Sequence, residues 1–222
     1  MNKKRLNEIS YMNLLFCILV VFIHVLSESV TRYDHSSFQF YAVAIPQKLF
    51  SFVVQGFLFL SGFKIYKFWK TPFKPLTFWI KKTKAIFAPY FLWVLIFYCF
   101  FLYKGYLTFN IADLLRRTAL GTLISPYYFI VILFQFYLLS PLFVWLTNKI
   151  NAWILVVFST IISFASTRFL STIFEGFKYS DRTFTTYLIY FVLGCIVAKY
   201  YGKICEFLIK NKVLVYLLYF VA

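Results

Sequence analysis

Six predominantly apolar stretches recur along the 222 residues, near positions 10–28, 43–63, 85–103, 126–146, 152–170 and 183–201. An α-helix needs about 20 apolar residues to cross a hydrocarbon core roughly 30 Å thick, and each stretch is of that order. A seventh begins near Val213 and reaches Ala222, too short for a crossing. Inside a bilayer every backbone N–H and C=O has to be paired within the segment itself, so repeated spans of this length dictate helices. The expected fold is all-α: a polytopic transmembrane bundle of six full spans plus a partial seventh, forming one domain over residues 1–222. Composition points the same way, with 62% hydrophobic and 24% aromatic residues and a mean hydropathy of +0.79. A water-soluble chain of this size keeps far more of its residues polar, because its surface faces water.

The formal charge of +16 arises from 23 Lys+Arg against 7 Asp+Glu. The basic residues sit in short clusters between apolar stretches, which is the pattern of cytoplasmic loops and not of a nucleic-acid surface. Lys3, Lys4 and Arg5 precede the first span. Lys64, Lys67, Lys70, Lys74, Lys81, Lys82 and Lys84 follow the second, Lys149 the fourth, and Lys199, Lys203, Lys210 and Lys212 the sixth. If each stretch crosses once, all of these share one side. The other side mixes Arg32, Lys104, Arg116, Arg117, Arg168, Lys178 and Arg182 with Asp34, Asp113, Glu175 and Asp181. The positive-inside rule then places the N-terminus in the cytoplasm. The first span lacks a small-residue cleavage site after it and reads as a retained helix. Cys17, Cys99 and Cys195 lie in apolar stretches and Cys205 in a lysine-rich one; none has zinc-ligand spacing, so neither a metal site nor a disulfide framework is expected. The segment 109–124 reads as an interfacial amphipathic helix. Pro141 should kink the fourth span unless neighbours satisfy the carbonyl it frees.

Against this apolar background a few polar residues stand out. His24 lies near the end of "LLFCILVVFIHVLSE" (14–28) that the orientation places outside, and Glu28 follows it by four positions. An ionisable group within a span is costly and is a functional candidate for that reason; a histidine anchoring the helix at the lipid–water boundary is the plain alternative. Asn13 precedes His24 by eleven residues, which is three helical turns plus about 20°, so both share a face roughly 16 Å apart. A carboxylate at Glu28 can hold the imidazole in one tautomer and leave its other nitrogen as a base, or can be a solvated helix end. Gln55 and Ser61 interrupt the second stretch, Gln135 and Ser140 the fourth; polar residues in spans commonly bond a neighbouring helix.

Five segments taken in order, "NLLFCILVVFIH" (13–24), "FVVQGFLFLSGF" (52–63), "FWIKKTKAIFAPYFLW" (78–93), "YYFIVILFQFYLLSPLF" (127–143) and "YFVLGCIVAKYYGK" (190–203), resemble the acyltransferase 3 family. These are multi-pass bacterial membrane proteins that O-acylate, often O-acetylate, surface glycans and related acceptors. The resemblance covers nearly the whole chain, and Ser61, Gly62 and Phe63 match its motif without change. It implies that His24 is the catalytic residue; Glu28 is the candidate to orient it on the helix geometry above alone. The basic residue usual eleven positions before the histidine falls on Asn13, a departure. The paired basic residues before the third span fall on Lys82 and on Ala85, with Lys84 adjacent. Asn13, Lys82 and Lys84 are thus expected to bind the donor. Family members have more spans than this chain supplies, so the chain is expected to be incomplete at its C-terminus.

The reaction so implied moves an acyl group, acetyl foremost, from acetyl-CoA or another acyl-CoA to a hydroxyl of a cell-surface or lipid-linked saccharide. The acyl-CoA is a co-substrate and no bound cofactor is expected; the setting is the bacterial cytoplasmic membrane. A carrier of lipid-linked polysaccharide, with His24 and Gln135 lining a pathway, is the alternative from another class, and an inactive remnant is a third.

Overall fold

The computed structural model describes residues 6–69, 73–173 and 179–212. Among them there are ten α-helices and no strand: α1 (Asn7–Val30), α2 (Phe38–Phe50), α3 (Val53–Lys67), α4 (Pro75–Lys82), α5 (Ala88–Tyr103), α6 (Ile111–Leu120), α7 (Tyr128–Lys149), α8 (Ala152–Ile173), α9 (Leu188–Lys199) and α10 (Tyr201–Lys210). Five stretches are long and apolar enough to cross a membrane: Asn7–Val30, Phe38–Lys67, Pro75–Tyr103, Ser125–Lys149 and Ala152–Phe169. The pair Phe184–Lys199 and Tyr201–Lys210, bent by 77°, adds a sixth if it is one broken span. These overlap the six expected stretches. The expected partial seventh, from Val213, lies outside the described residues, as does Arg5.

The second and third spans are not single straight helices. Ser51 and Phe52 separate α2 from α3, and the Gln55 amide nitrogen, in the orientation that satisfies both its ends, donates to the carbonyls of Ser51 and Phe52, 3.0 Å each. Between α4 and α5, residues Thr83–Phe87 form a π-helical turn in which the Ala88 N–H donates five residues back to Thr83. Pro89 follows at once and has no N–H to offer the carbonyl of Ala85, so the α-ladder cannot run through unbroken.

The bundle packs around α3, α7 and α9. Phe136 of α7 stacks on Phe191 of α9, ring centroids 4.4 Å apart, and both are fully buried. The closest approach is α3 on α9, and two glycines allow it. A Cβ at Gly62 would stand 2.1 Å from the carbonyl oxygen of Phe191, and one at Gly194 would stand 2.0 Å from that of Phe59. Small residues at such crossings let backbones approach where lipid supplies no hydrophobic force. By contrast α1 turns Leu14, Leu15, Ile18, Val21, Phe22 and Val25 outward, which is what a lipid-facing helix does.

Pro141 lies inside α7 without ending it. The missing N–H frees the carbonyl of Tyr137 four residues back. That oxygen accepts from Ser140 Oγ at 2.8 Å and from Trp79 Nε1 at 3.3 Å. The freed group therefore becomes the anchor that pins α4 against α7.

The interfacial helix expected over 109–124 is α6. Its N-cap Asn110 accepts from the amides of Ala112 and Asp113, and Gly121 at φ 60° closes its other end. Its leucines divide between core and surface, for Leu114 and the nearby Leu123 pack against Tyr90, Val94 and Tyr98, whereas Leu115 is exposed.

Candidate functional site

His24 stands on the exposed side of α1, six residues before its end, and its imidazole makes no hydrogen bond among the described residues. The two polar neighbours downstream on the helix are committed elsewhere. Ser27 Oγ donates to the carbonyl of Ile23 at 2.6 Å and accepts from Gln47 Nε2 at 2.8 Å, which ties α1 to α2. The Glu28 carboxylate accepts from the Arg32 guanidinium, one helical turn on, with both side chains about 70% exposed. Glu28 and His24 share a helix face but are not joined.

At the opposite end of α1, Asn13 meets a partner from α3. Its amide nitrogen donates to the carbonyl of Ile9, which fixes the plane of the group. Its Oδ1 then accepts from Lys64 Nζ at 2.8 Å. Lys64 is not in a loop: α3 runs on through it to Lys67, and its side chain is half-buried. The same end of the bundle is tied by Tyr66, whose hydroxyl donates to Asn148 Oδ1 at 2.6 Å, by Tyr201, which donates to Glu8, and by Lys199, which donates to the carbonyl of Thr147 at 2.6 Å.

Beside this end a cavity of about 180 Å³ opens between α4 and α7, lined by Trp79, Lys82, Thr83, Phe87, Phe134, Tyr137 and Leu138. Lys82 sets its ammonium 4.3 Å from the centre of the Tyr137 ring, a cation–π arrangement that steadies a charge at an apolar wall. Ser61 of α3 lies beside the Tyr137 hydroxyl. Ser61 thus faces the cavity side of α3, while Gly62 packs on α9 and Phe63 is buried, its ring edge-on to Tyr201 at 5.4 Å. Lys84, in the π-helical turn, is exposed and makes no contact with this group among the described residues.

The arrangement has two parts. One end gathers ammonium groups around α3, and an apolar-walled cavity with Lys82 in its lining opens between α4 and α7, a combination suited to an anionic ligand that carries an apolar arm. Toward the other end of α1 stands an unpaired imidazole. A family model described as an acyltransferase domain matches residues 6–222. The chain belongs to the acyltransferase 3 family. No curated protein and no solved structure matches it.

As a member of the acyltransferase 3 family the chain is a multi-pass membrane acyltransferase in general terms. Of the residues singled out in the sequence, the structure brings Ser61 and Lys82 together through Tyr137. It places Asn13 against Lys64, and it leaves His24, Glu28 and Lys84 apart from both groups. Three residues of these groups were not foreseen. Lys64 read as a loop lysine because it follows the last apolar run of its span. Trp79 fell in the basic connection before the third expected span and Tyr137 within the fourth, and neither was singled out, although Tyr137, four residues before Pro141, carried a signal: its carbonyl had to find another donor. Gln135, a candidate for a pathway lining, is fully engaged, donating to the Arg182 carbonyl at 2.8 Å and accepting from the Phe184 amide at 2.9 Å. Among the described residues no group of His, Cys, Asp and Glu is arranged to hold a metal ion.

Proposed function

We propose that this protein transfers an acyl group, acetyl foremost, from acyl-CoA to a hydroxyl of a cell-surface or lipid-linked saccharide, in the bacterial cytoplasmic membrane. The lysine-rich end and the N-terminus face the cytoplasm in this reading, where the positive-inside rule puts them. The observation that carries it is His24, an imidazole with no partner among the described residues on a membrane-spanning helix of an acyltransferase-family chain. A histidine whose nitrogens are free can accept a proton, and a sugar hydroxyl needs one removed to become a competent nucleophile.

In this mechanism His24 takes the acceptor's hydroxyl proton as the oxygen attacks the thioester carbonyl. The C–S bond then breaks, the CoA sulfur leaves as thiol with the proton returned by His24, and the ester stays on the saccharide. Lys82, with Asn13 and Lys84 on the same end of the bundle, binds the polyanionic donor. Because that end and His24 are separated by roughly 16 Å along α1, the donor has to present its acyl carbonyl well away from its phosphates. The commitment of Gln135 to backbone groups removes the second residue on which the carrier reading stood.

The test is His24→Ala in the cell's own gene, followed by mass spectrometry of the surface glycans. General-base loss lowers rate by about 10²–10⁴-fold, so the glycan should remain while its ester content collapses. Unchanged ester content would overturn the catalytic role, and loss of the glycan itself would favour a carrier.

A further inference from the structure

Lys64 is a cation inside a span with a neutral acceptor. Its one described polar partner is the Asn13 carbonyl oxygen, and among the described residues no carboxylate lies within ion-pair distance of it. Glu8, on the same helix as Asn13, is occupied by the Tyr201 hydroxyl. An ammonium has three N–H donors and Asn13 takes one. Half-burying a full charge without a counter-charge is costly, and in a membrane-spanning segment an ionisable group of this kind marks a ligand or ion site.

The surroundings define the ligand's sign. Lys67 stands 4.7 Å from the Tyr201 ring centre and Lys199 reaches the Thr147 carbonyl, so the potential at this end of α3 is positive from several directions. The Asn13 amide is itself held by Ile9, so Lys64 is aimed and not merely tethered. A compact, strongly hydrated point charge with free donors, fixed in direction, is suited to a phosphate group. We propose that Lys64, aimed by Asn13, is a phosphate-binding site at the lysine-rich end of the bundle, and that it holds a phosphate of the acyl donor. The first half stands on the geometry; the second rests on the acyltransferase reading. Asn13 cannot neutralise an anion, and Lys64 supplies the charge which that position of α1 lacks.

The full chain in nanodiscs of neutral phosphatidylcholine tests this, with inorganic pyrophosphate and free coenzyme A titrated separately by calorimetry. Loss of one charge-assisted hydrogen bond should weaken both ligands by about tenfold or more in Lys64→Gln. Lys64→Arg, which keeps the charge, should stay near the wild-type value, and so should Lys203→Gln, which removes an exposed charge from the same end. Asn13→Ala, which keeps the cation and frees its direction, should fall between. Unaltered pyrophosphate affinity in Lys64→Gln, or an equal loss in Lys203→Gln, would overturn the site. Lys64-dependent pyrophosphate binding that coenzyme A does not displace, but added phosphatidylglycerol does, would keep the site and assign its phosphate to a lipid headgroup. Acyl transfer measured on the same preparations, with His24→Ala beside them, reports on the acyltransferase reading separately.

Discussion

Gly62 of α3 and Gly194 of α9 lie where the two helices cross, and each leaves room for the other helix's backbone. A methyl group at either would fall about 2 Å from a carbonyl oxygen of the opposite helix. Backbone cannot swing aside as a side chain can, so the helices would have to part. Overpacking of this kind costs about 1–3 kcal/mol, occasionally more. Gly62→Ala and Gly194→Ala should each lower the thermal unfolding temperature of the detergent-solubilised protein. The double substitution should cost less than the two together, because one separation of the helices relieves both clashes. Since Ser61 and Lys64 ride on α3, the donor binding proposed above should weaken along with stability.

The Tyr137 carbonyl ties a proline to a tryptophan. Trp79→Phe removes the indole donor, and the oxygen keeps only Ser140. The expected loss is about 0.5–1.5 kcal/mol, as for one ordinary hydrogen bond. Combined with Ser140→Ala, the loss should exceed the sum of the singles, because only then is a buried carbonyl left without a partner. Pro141→Ala restores the N–H within α7, and Trp79→Phe should then be nearly neutral. A double-mutant cycle on unfolding measured in detergent reads all three. Additivity throughout would show that the Trp79 contact is packing and not a hydrogen bond.

Gln135 holds the segment between α8 and α9 onto α7 with both ends of its amide. The held residue Arg182 in turn donates to the Leu120 carbonyl at 2.6 Å and so closes α6. Gln135→Leu leaves the Phe184 amide and the Arg182 carbonyl unpaired, at a cost of about 1–3 kcal/mol. Hydrogen exchange should quicken at Phe184, Thr185 and the last turn of α6, while exchange in α1 is unchanged. Protection unchanged at Phe184 would show that the amide is not what holds the segment.

Five of the apolar stretches, and a sixth if the bent pair is one span, were legible because a span is a local property: about 20 apolar residues in a row suffice to predict it. So was α6, whose Asn110 cap and Gly121 stop are written into adjacent positions. What was not legible depends on partners far along the chain. Asn13 and Lys64 are 51 residues apart, and nothing near either says that a lysine reaches the asparagine. Lys64 also sits one residue past the run "SGF", so its position at the span's edge made loop and helix equally natural readings. The break at Ser51–Phe52 has no proline or glycine to announce it, whereas the π-helical turn before Pro89 had one. The match to the acyltransferase family spans the chain, yet the residue contacts around its motif positions came only from the fold.

Glu28 separates two uses of the C-terminal end of α1. If it orients His24, neutralising it should damage catalysis nearly as much as losing the histidine. Its carboxylate is instead joined to Arg32, one turn further on, and both groups are largely exposed. Exposed pairs of this type contribute about 0–1 kcal/mol to stability and impose little on their neighbours. Glu28→Gln and Arg32→Ala should therefore change the unfolding temperature little and, in the acyltransferase reading, lower transfer by less than about tenfold, against the 10²–10⁴-fold expected for loss of a general base at His24. Ester content per glycan, measured for the three variants at equal protein level, decides it. A Glu28→Gln loss as deep as that of His24→Ala would mean that the carboxylate leaves Arg32 for the imidazole when substrate is bound.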